Sequence, residues 1–130
     1  MLEKMNISNL NNRFKKVWVI DDNELDLYLA QEFLEDSFFA EEINLLNSPI
    51  KALEILKSLE NNLDQLPKFI FLDIRMPIMD GFEFVAEYDK FSDSIKSNCI
   101  IIMLSSSLSP EDHKKIKTNL LINQFISKPL

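Results

Sequence analysis

The chain has 130 residues and a formal net charge of −7 at pH 7, with 14 basic and 21 acidic side chains. This is the length of about one domain, and its acidity argues against a nucleic-acid binder or a protein that docks on anionic membranes. Cys99 is the single cysteine and cannot form an internal disulfide, and residues 1–13 lack the apolar run of a signal peptide. We therefore expect a polar leader, residues 1–13, and one cytoplasmic domain, residues 14–130, with no membrane insertion.

The first half of the chain alternates predicted strands and helices. The β-branched and aromatic run Lys16–Ile20 predicts a buried strand that ends at Asp21 and Asp22. Helical spacing of apolar residues follows from about residue 24 to residue 37. A weaker strand at residues 43–46 precedes Ser48 and Pro49, an N-cap residue with proline at the first helical position. The expected inner faces of the two helices are Leu25, Leu29 and Phe33 with Ala30 and Leu34, and then Ala52, Leu53 and Leu56.

The second half repeats the alternation. The apolar strand at residues 69–72 ends at Asp73, and a loop then runs to Gly81, the only glycine in the chain. A single glycine excludes the glycine-rich phosphate loops, and it marks a backbone position that other residues do not fit. Residues 99–104 and 124–127 predict the last two strands, and Ser109 begins a capping box with Pro110 next to it. The expected inward residues are Phe82, Val85 and Ala86 of the third helix, and Ile116 and Leu120 of the fourth.

The resulting order, β-α-β-α-β-α-β-α-β, favours one α/β domain. Continuous apolar strands that alternate with amphipathic helices are typical of a doubly wound parallel sheet covered on both faces. In such sheets ligands bind beyond the carboxyl ends of the strands. The polar residues at those ends are Asp21, Asp22, Asp73, Ser105 and Lys128.

These residue types together suit phosphoryl chemistry at a metal site. Three carboxylates at close range repel each other unless a cation lies among them. An open site with oxygen ligands suits Mg²⁺, and Mn²⁺ accepts the same ligands. Lys128 and Ser105 add a positive charge and a hydroxyl, so Asp73 is the best candidate for a carboxylate nucleophile. The alternative for each residue alone is a helix cap, which Asp22 or Asn23 could provide.

The segment Phe71-Leu-Asp-Ile-Arg-Met-Pro-Ile-Met-Asp-Gly81 resembles the phosphorylation-site pattern D-x-x-M-P-x-M-D-G at every defined position. Together with the aspartates and the serine named above, and with Pro129 directly after Lys128, this segment makes the chain resemble the CheY-like receiver domain of bacterial two-component response regulators. The resemblance covers about residue 16 to the end. It implies a flavodoxin-like fold, a five-stranded parallel sheet of order 2-1-3-4-5.

Carried over by position, the resemblance implies that Asp73 accepts a phosphoryl group from a histidine kinase or a histidine phosphotransfer protein. It implies that Asp22 and Asp73 bind Mg²⁺ directly, that Asp21 binds it mainly through water, and that the backbone carbonyl of Arg75 completes the ligands. Lys128 would pair with the acceptor carboxylate and then with the phosphate, next to a cis peptide bond.

The resemblance also implies a switch. Ser105 matches the hydroxyl residue that moves onto the phosphate, and Phe125 matches the aromatic residue that then turns inward. Arg75 and Ser107 occupy variable positions that tune self-dephosphorylation in relatives. Met76, Pro77 and Met79 are expected to shape and pack the loop, and His113 is not expected to act as a ligand or phosphodonor.

One departure concerns the end of the chain. Receivers normally continue into a fifth helix after the Lys-Pro pair, whereas this sequence ends at Leu130, so we expect the fold without its final helix. The last strand would then expose apolar surface. Ile7, Leu10 and Phe14 have rough helical spacing, and we expect that the leader could cover this surface.

The function we expect is that of a single-domain response regulator, which is a phosphoacceptor and not an enzyme. It would signal to an unknown protein target, with no nucleic acid as partner. The alternatives are a phosphorelay intermediate or phosphate sink, and a receiver-like binding module that is not phosphorylated. An aspartate-nucleophile phosphohydrolase would need a second aspartate where Arg75 stands, and a flavodoxin-like carrier would not place Asp21 and Asp22 against a phosphate.

Overall fold

The computed structural model describes residues 13–130, which form a five-stranded parallel sheet of order β2-β1-β3-β4-β5. The strands are β1 (Phe14–Ile20), β2 (Ala40–Leu46), β3 (Phe69–Asp73), β4 (Ile100–Ser105) and β5 (Ile122–Ser127). The predicted fold class and strand order are confirmed. β1, β2 and β5 begin earlier than predicted, because Phe14, Ala40 and Ile122 already pair along the sheet, ahead of the residues from which each strand was predicted.

The helices alternate with the strands in the expected order. In residues 13–130 they are α1 (Glu24–Asp36), α2 (Pro49–Ser58), α3 (Gly81–Tyr88), α4 (Asp93–Lys96) and α5 (Pro110–Thr118), with a 3₁₀ turn at Leu63–Gln65. The short α4 and the 3₁₀ turn were not predicted, because neither is long enough to show helical spacing. Within residues 13–130, no helix is long and apolar enough to cross a membrane.

The helix starts follow from local capping chemistry. Asn23 caps α1 by accepting a hydrogen bond from the Asp26 N–H, and Ser48 caps α2 with Pro49 at the first position. α3 and α5 both begin with a complete capping box, formed by Asp80 with Glu83 and by Ser109 with Asp112. The predicted caps at residues 48 and 109 are therefore confirmed, and Asn23 rather than Asp22 caps α1.

The sheet separates two apolar cores. One contains the inward side chains of α2 and α3, among them Ala52, Leu56, Phe84 and Tyr88. The other contains the inward face of α1 and a cluster of phenylalanine rings. In that cluster the Phe14 ring lies 5.1 Å from Phe39 and 4.7 Å from Phe69, measured between centroids.

This placement corrects the expected role of Phe14. Phe14 is a β1 residue that packs in the core of α1, so it does not cover β5. The other two residues of that expectation, Ile7 and Leu10, lie outside the described residues.

The inner faces of three helices differ from the expectation. In α1 the buried residues are Leu27, Ala30 and Leu34, whereas Leu25 and Leu29 are 64% and 41% exposed. In α3 the buried residues are Gly81, Phe84, Val85 and Tyr88, whereas Phe82 is half-buried and Ala86 is exposed. Leu120 is 99% exposed because α5 ends at Thr118 and the chain leaves the helical path before it. Apolar residues on both sides of a helix leave the choice of face to tertiary packing.

Candidate functional site

Three strand ends are held side by side at the carboxyl edge of the sheet. The sheet-type hydrogen bonding continues just past the strands, through Asp21 N–H to Leu46 O (3.0 Å), Ile74 N–H to Leu104 O (3.1 Å) and Lys128 N–H to Ser105 O (3.0 Å). The side chains of Asp21, Asp73 and Lys128 therefore leave the sheet at a common level. Of the five residues expected at this edge, the side chains of Asp21, Asp22, Asp73 and Lys128 are in close proximity.

The aspartates form a compact carboxylate cluster. Asp21 and Asp73 are 1% and 4% exposed and Asp22 is exposed, and one oxygen from each lies within 4.8 Å of the others. All three donors are hard oxygen atoms, and the exposed Asp22 leaves one side open to solvent. This donor set fits the ligand preference of Mg²⁺, which combines few carboxylates with retained water.

Lys128 lies within hydrogen-bond distance of three carboxylates. Its Nζ is 2.7 Å from Asp21 Oδ2, 2.8 Å from Asp26 Oδ2 and 3.0 Å from Asp73 Oδ1. The peptide bond between Lys128 and Pro129 is cis, as the resemblance implied. The sequence analysis did not identify Asp26 as a site residue. An acidic residue in the first turn of a helix is already explained by the helix dipole, so its presence there gives no further signal.

The charges in this cluster shift each other's protonation. Burial raises the pKa of Asp73 to about 6, and the Asp21 charge acts in the same direction, while hydrogen bonds from Lys128 and from the Arg75 N–H oppose the rise. Burial by itself lowers the pKa of Lys128, but hydrogen bonds to the three aspartates outweigh it and hold the pKa above its usual value. Lys128 therefore remains a cation at physiological pH.

Ser105 ends β4 with its hydroxyl turned into its own loop. Ser105 is 2% exposed, and its hydroxyl donates to the backbone oxygen of Ser107 at 2.6 Å. It also accepts a hydrogen bond from the Ser107 N–H at 3.2 Å. Ser105 lies at the predicted strand end, and its described partner is the loop after β4 rather than Asp73.

Phe125 lies on β5 and is partly buried against the core of α2 and α3. Its ring meets the edge of His113 from α5, with 6.4 Å between centroids and 74° between planes. The aromatic ring therefore sits between the last strand and the helix that follows the Ser105 loop. His113 is exposed, and its described side-chain contact is this edge-type contact with Phe125.

An ion pair connects the loop after β3 to α5. The Arg75 guanidinium binds Asp112, whose carboxylate is also the acceptor for the Ser109 N–H at 3.1 Å in the capping box. The hydrogen bond from the Ser109 backbone, with the charge of Arg75, lowers the pKa of Asp112. The sequence did not predict the pairing of Arg75 with Asp112, because the two residues are 37 positions apart.

The loop between β3 and α3 packs as expected on one side and is exposed on the other. Met76 is 8% exposed and Met79 packs against the core, as predicted. Ile78 has φ of 71° and is 91% exposed, at the centre of a tight turn in which the Met79 N–H donates to Pro77 O at 2.7 Å. An isoleucine in this conformation is strained. The turn returns the chain to Gly81, which lies against the Asp73 backbone.

The family model described as the response regulator receiver domain matches residues 17–130. A solved two-component response regulator from Cytophaga hutchinsonii is 28% identical, with a TM-score of 0.84 over 92% of this chain and 89% of that one. The chemotaxis protein CheY of Halobacterium salinarum is 28% identical over 88% of this chain and 85% of its own. The receiver domain of the Arabidopsis thaliana histidine kinase CKI1, solved with Mg²⁺, is 25% identical, with a TM-score of 0.72 over 88% and 83%.

Proposed function

This chain belongs to the response regulator receiver domain family, and we propose that it accepts a phosphoryl group on Asp73 from a histidine kinase or histidine phosphotransfer protein. The observation that carries this proposal is the buried Asp73 carboxylate held 3.0 Å from the Lys128 ammonium, beside Asp21 and Asp22. Receiver domains are signalling domains, and this arrangement of a carboxylate, an ammonium and two further aspartates supports phosphoryl transfer to Asp73. We assign the activity to residues 14–130 and to the cytoplasm.

In the transfer step, a carboxylate oxygen of Asp73 attacks the phosphorus of a phosphohistidine. The new O–P bond forms as the P–N bond breaks, and the electron pair of that bond stays on the imidazole nitrogen of the donor. The product is an acyl phosphate on Asp73. Lys128 remains beside it, where its positive charge stabilises the negative charge on the transferring oxygens.

Asp21, Asp22 and Asp73 are the residues that would hold Mg²⁺, and we propose the backbone carbonyl of Arg75 as a further ligand. The bound ion would neutralise charge on the transferring phosphoryl oxygens. Mn²⁺ suits the same oxygen donors. The solved receiver domain of CKI1 is described as a complex with Mg²⁺, which supports the assignment.

We propose that Ser105 and Phe125 transmit the modification to the surface. The Ser105 hydroxyl now satisfies Ser107 O, and the strong acceptor oxygens of a phosphoryl group on Asp73 would attract it instead. That movement releases the loop between β4 and α5, next to the Phe125 ring and its contact with His113. The changed surface of α5 and β5 would then bind a protein target, and the population shift depends on how differently the phosphoryl group contacts the two states.

The direct test is the intact mass of the protein after incubation with acetyl phosphate and Mg²⁺. We expect the mass of one added phosphoryl group in the wild type, and none in Asp73→Asn or in the presence of a chelator. Asp36→Asn is the matched control, because Asp36 is an exposed aspartate at the far end of α1, and it should be modified like the wild type. Modification that persists in Asp73→Asn would refute the assignment of the acceptor.

If the wild type gains no mass with acetyl phosphate or with a phosphorylated histidine donor, the proposal fails and a binding module without phosphorylation is the remaining function. Phosphate that passes from Asp73 to a histidine phosphotransfer protein would identify a relay. A stable acyl phosphate that increases affinity for a protein target would identify a response regulator with output in another protein.

A further inference from the structure

Asp26 differs from the other two partners of Lys128. The ammonium has three N–H groups, and the close carboxylates in the described part of the chain are those of Asp21, Asp26 and Asp73. Asp21 and Asp73 belong to the carboxylate cluster with Asp22, whereas Asp26 does not. Asp26 is thus the one partner of Lys128 that neither binds the cation nor accepts the phosphoryl group in the proposed function.

The position of Asp26 is fixed by the start of α1. It is the third residue of the helix, and its N–H donates to the Asn23 side chain at 2.9 Å. The exposed N–H groups of a helix N-terminus favour a negative charge there. The side chain of Asp26 is 34% exposed and that of Lys128 is 15% exposed, so their 2.8 Å contact lies at the rim of the site.

Lys128 and a bound divalent cation compete for the same carboxylates. Without Asp26, all of the attraction on the ammonium would come from Asp21 and Asp73, whose oxygens must be available to the cation. The Asp26 carboxylate attracts the ammonium toward α1, and it adds a negative charge close to the cluster. Both effects favour a cation at the cluster, because the local potential becomes more negative and the oxygens are less strongly paired.

We infer that Asp26 is a positioning residue that holds Lys128 to one side of the carboxylate cluster and thereby strengthens divalent-cation binding. This inference rests on the proposed function, since it requires a cation at Asp21, Asp22 and Asp73.

The experiment is a calorimetric titration of the full chain with Mg²⁺. In Asp26→Asn the side chain keeps an acceptor oxygen but loses its charge, and we expect the Kd for Mg²⁺ to rise about threefold to tenfold. Asp26→Glu restores the charge and should recover most of the affinity. Glu24→Gln is the matched control, because Glu24 is an exposed acidic residue in the same first turn of α1 with no ion pair to Lys128 among the described contacts.

A second measurement separates positioning from structural damage. The rate of phosphorylation of Asp26→Asn by acetyl phosphate should be low at limiting Mg²⁺ and approach the wild-type rate at saturating Mg²⁺. An unchanged Kd in Asp26→Asn, or an equal loss in Glu24→Gln, would overturn the inference while the proposed function stands. If the wild type gives no Mg²⁺-binding heat and no Mg²⁺-dependent phosphorylation, the inference and the proposed metal site fail together.

Discussion

Gly81 connects the packing of α3 to the geometry of the site. A Cβ at this position would lie 2.8 Å from the backbone oxygen of Asp73, 3.0 Å from Ile74 Cα and 3.3 Å from Met103 Sδ. The first two atoms belong to the backbone of a central strand and its continuation, so they cannot rotate away. Gly81 does not have a positive φ, so the close approach of neighbouring atoms, and not backbone strain, excludes a side chain here.

The expected result for Gly81→Ala is a net loss of stability. Alanine would gain roughly 0.5–1 kcal/mol over glycine in a helix, at the low end for a first helical position. Forcing one methyl into a packed interior costs about 1–3 kcal/mol. The clash therefore outweighs the helix preference, and we expect a loss of about 1–2 kcal/mol, or about 5 °C in Tm for a domain of this size.

The same clash should reach the site. The obstructing oxygen belongs to Asp73, so relief of the contact moves either α3 or the backbone of the proposed phosphoacceptor. The rate of phosphorylation by acetyl phosphate should therefore fall too. Urea unfolding without metal measures the free energy of unfolding. Ala86→Gly is the control in the same helix, because Ala86 is exposed. This substitution should lower the free energy of unfolding by about 1 kcal/mol through helix preference alone, and phosphorylation should remain normal.

If the urea midpoint of Gly81→Ala is equal to or above that of the wild type, this reasoning is refuted. It would mean that helix preference dominates at the position and that the contact with Asp73 relaxes freely.

Two further predictions concern titrating side chains. The pKa of Asp112 is lowered by its Ser109 hydrogen bond and by Arg75, so the folded state is stabilised above the unfolded pKa of Asp112, and this stability is lost as pH falls through the folded pKa. Asp112→Asn should therefore lower the free energy of unfolding by about 1 kcal/mol at pH 7, and urea titrations should show this difference from the wild type shrinking as pH falls through the folded pKa of Asp112. A pH-independent difference would contradict the ionic role. Burial raises the pKa of the Cys99 thiol to about 11, from 9.0, so iodoacetamide should alkylate it about 100-fold more slowly at pH 8 in the folded chain than in urea. Equal rates would show that the thiol is not protected.

Local signals in the sequence determined the five strands and the four longer helices. The continuous apolar runs of β3 and β4 appear in nearly their observed bounds, since strands buried on both faces require apolar side chains throughout. Ser48 and Ser109 cap helices as predicted, because capping depends on neighbours within three residues. The short α4 also has a serine cap, but it is too short to show the helical spacing of apolar residues that would predict it.

Tertiary packing decided which face each helix buries. α1 carries leucines at positions that point to opposite sides, and only contact with β1 and β2 selects Leu27 and Leu34 over Leu25 and Leu29. The exposure of Leu120 has a similar origin, since the chain turns out of the helix after Thr118 to enter β5.

For the site, the sequence by itself determined the chemical groups at the strand ends, because parallel strands bring their carboxyl ends to one edge wherever the chain places a polar residue there. The aspartates and Lys128 could be assembled from that rule alone. The contact between Lys128 and Asp26 spans 102 positions of sequence, and the pair of Arg75 and Asp112 spans 37. Side-chain directions across elements decide such pairings, and the orientation of the Ser105 hydroxyl likewise, so only the tertiary structure could supply them.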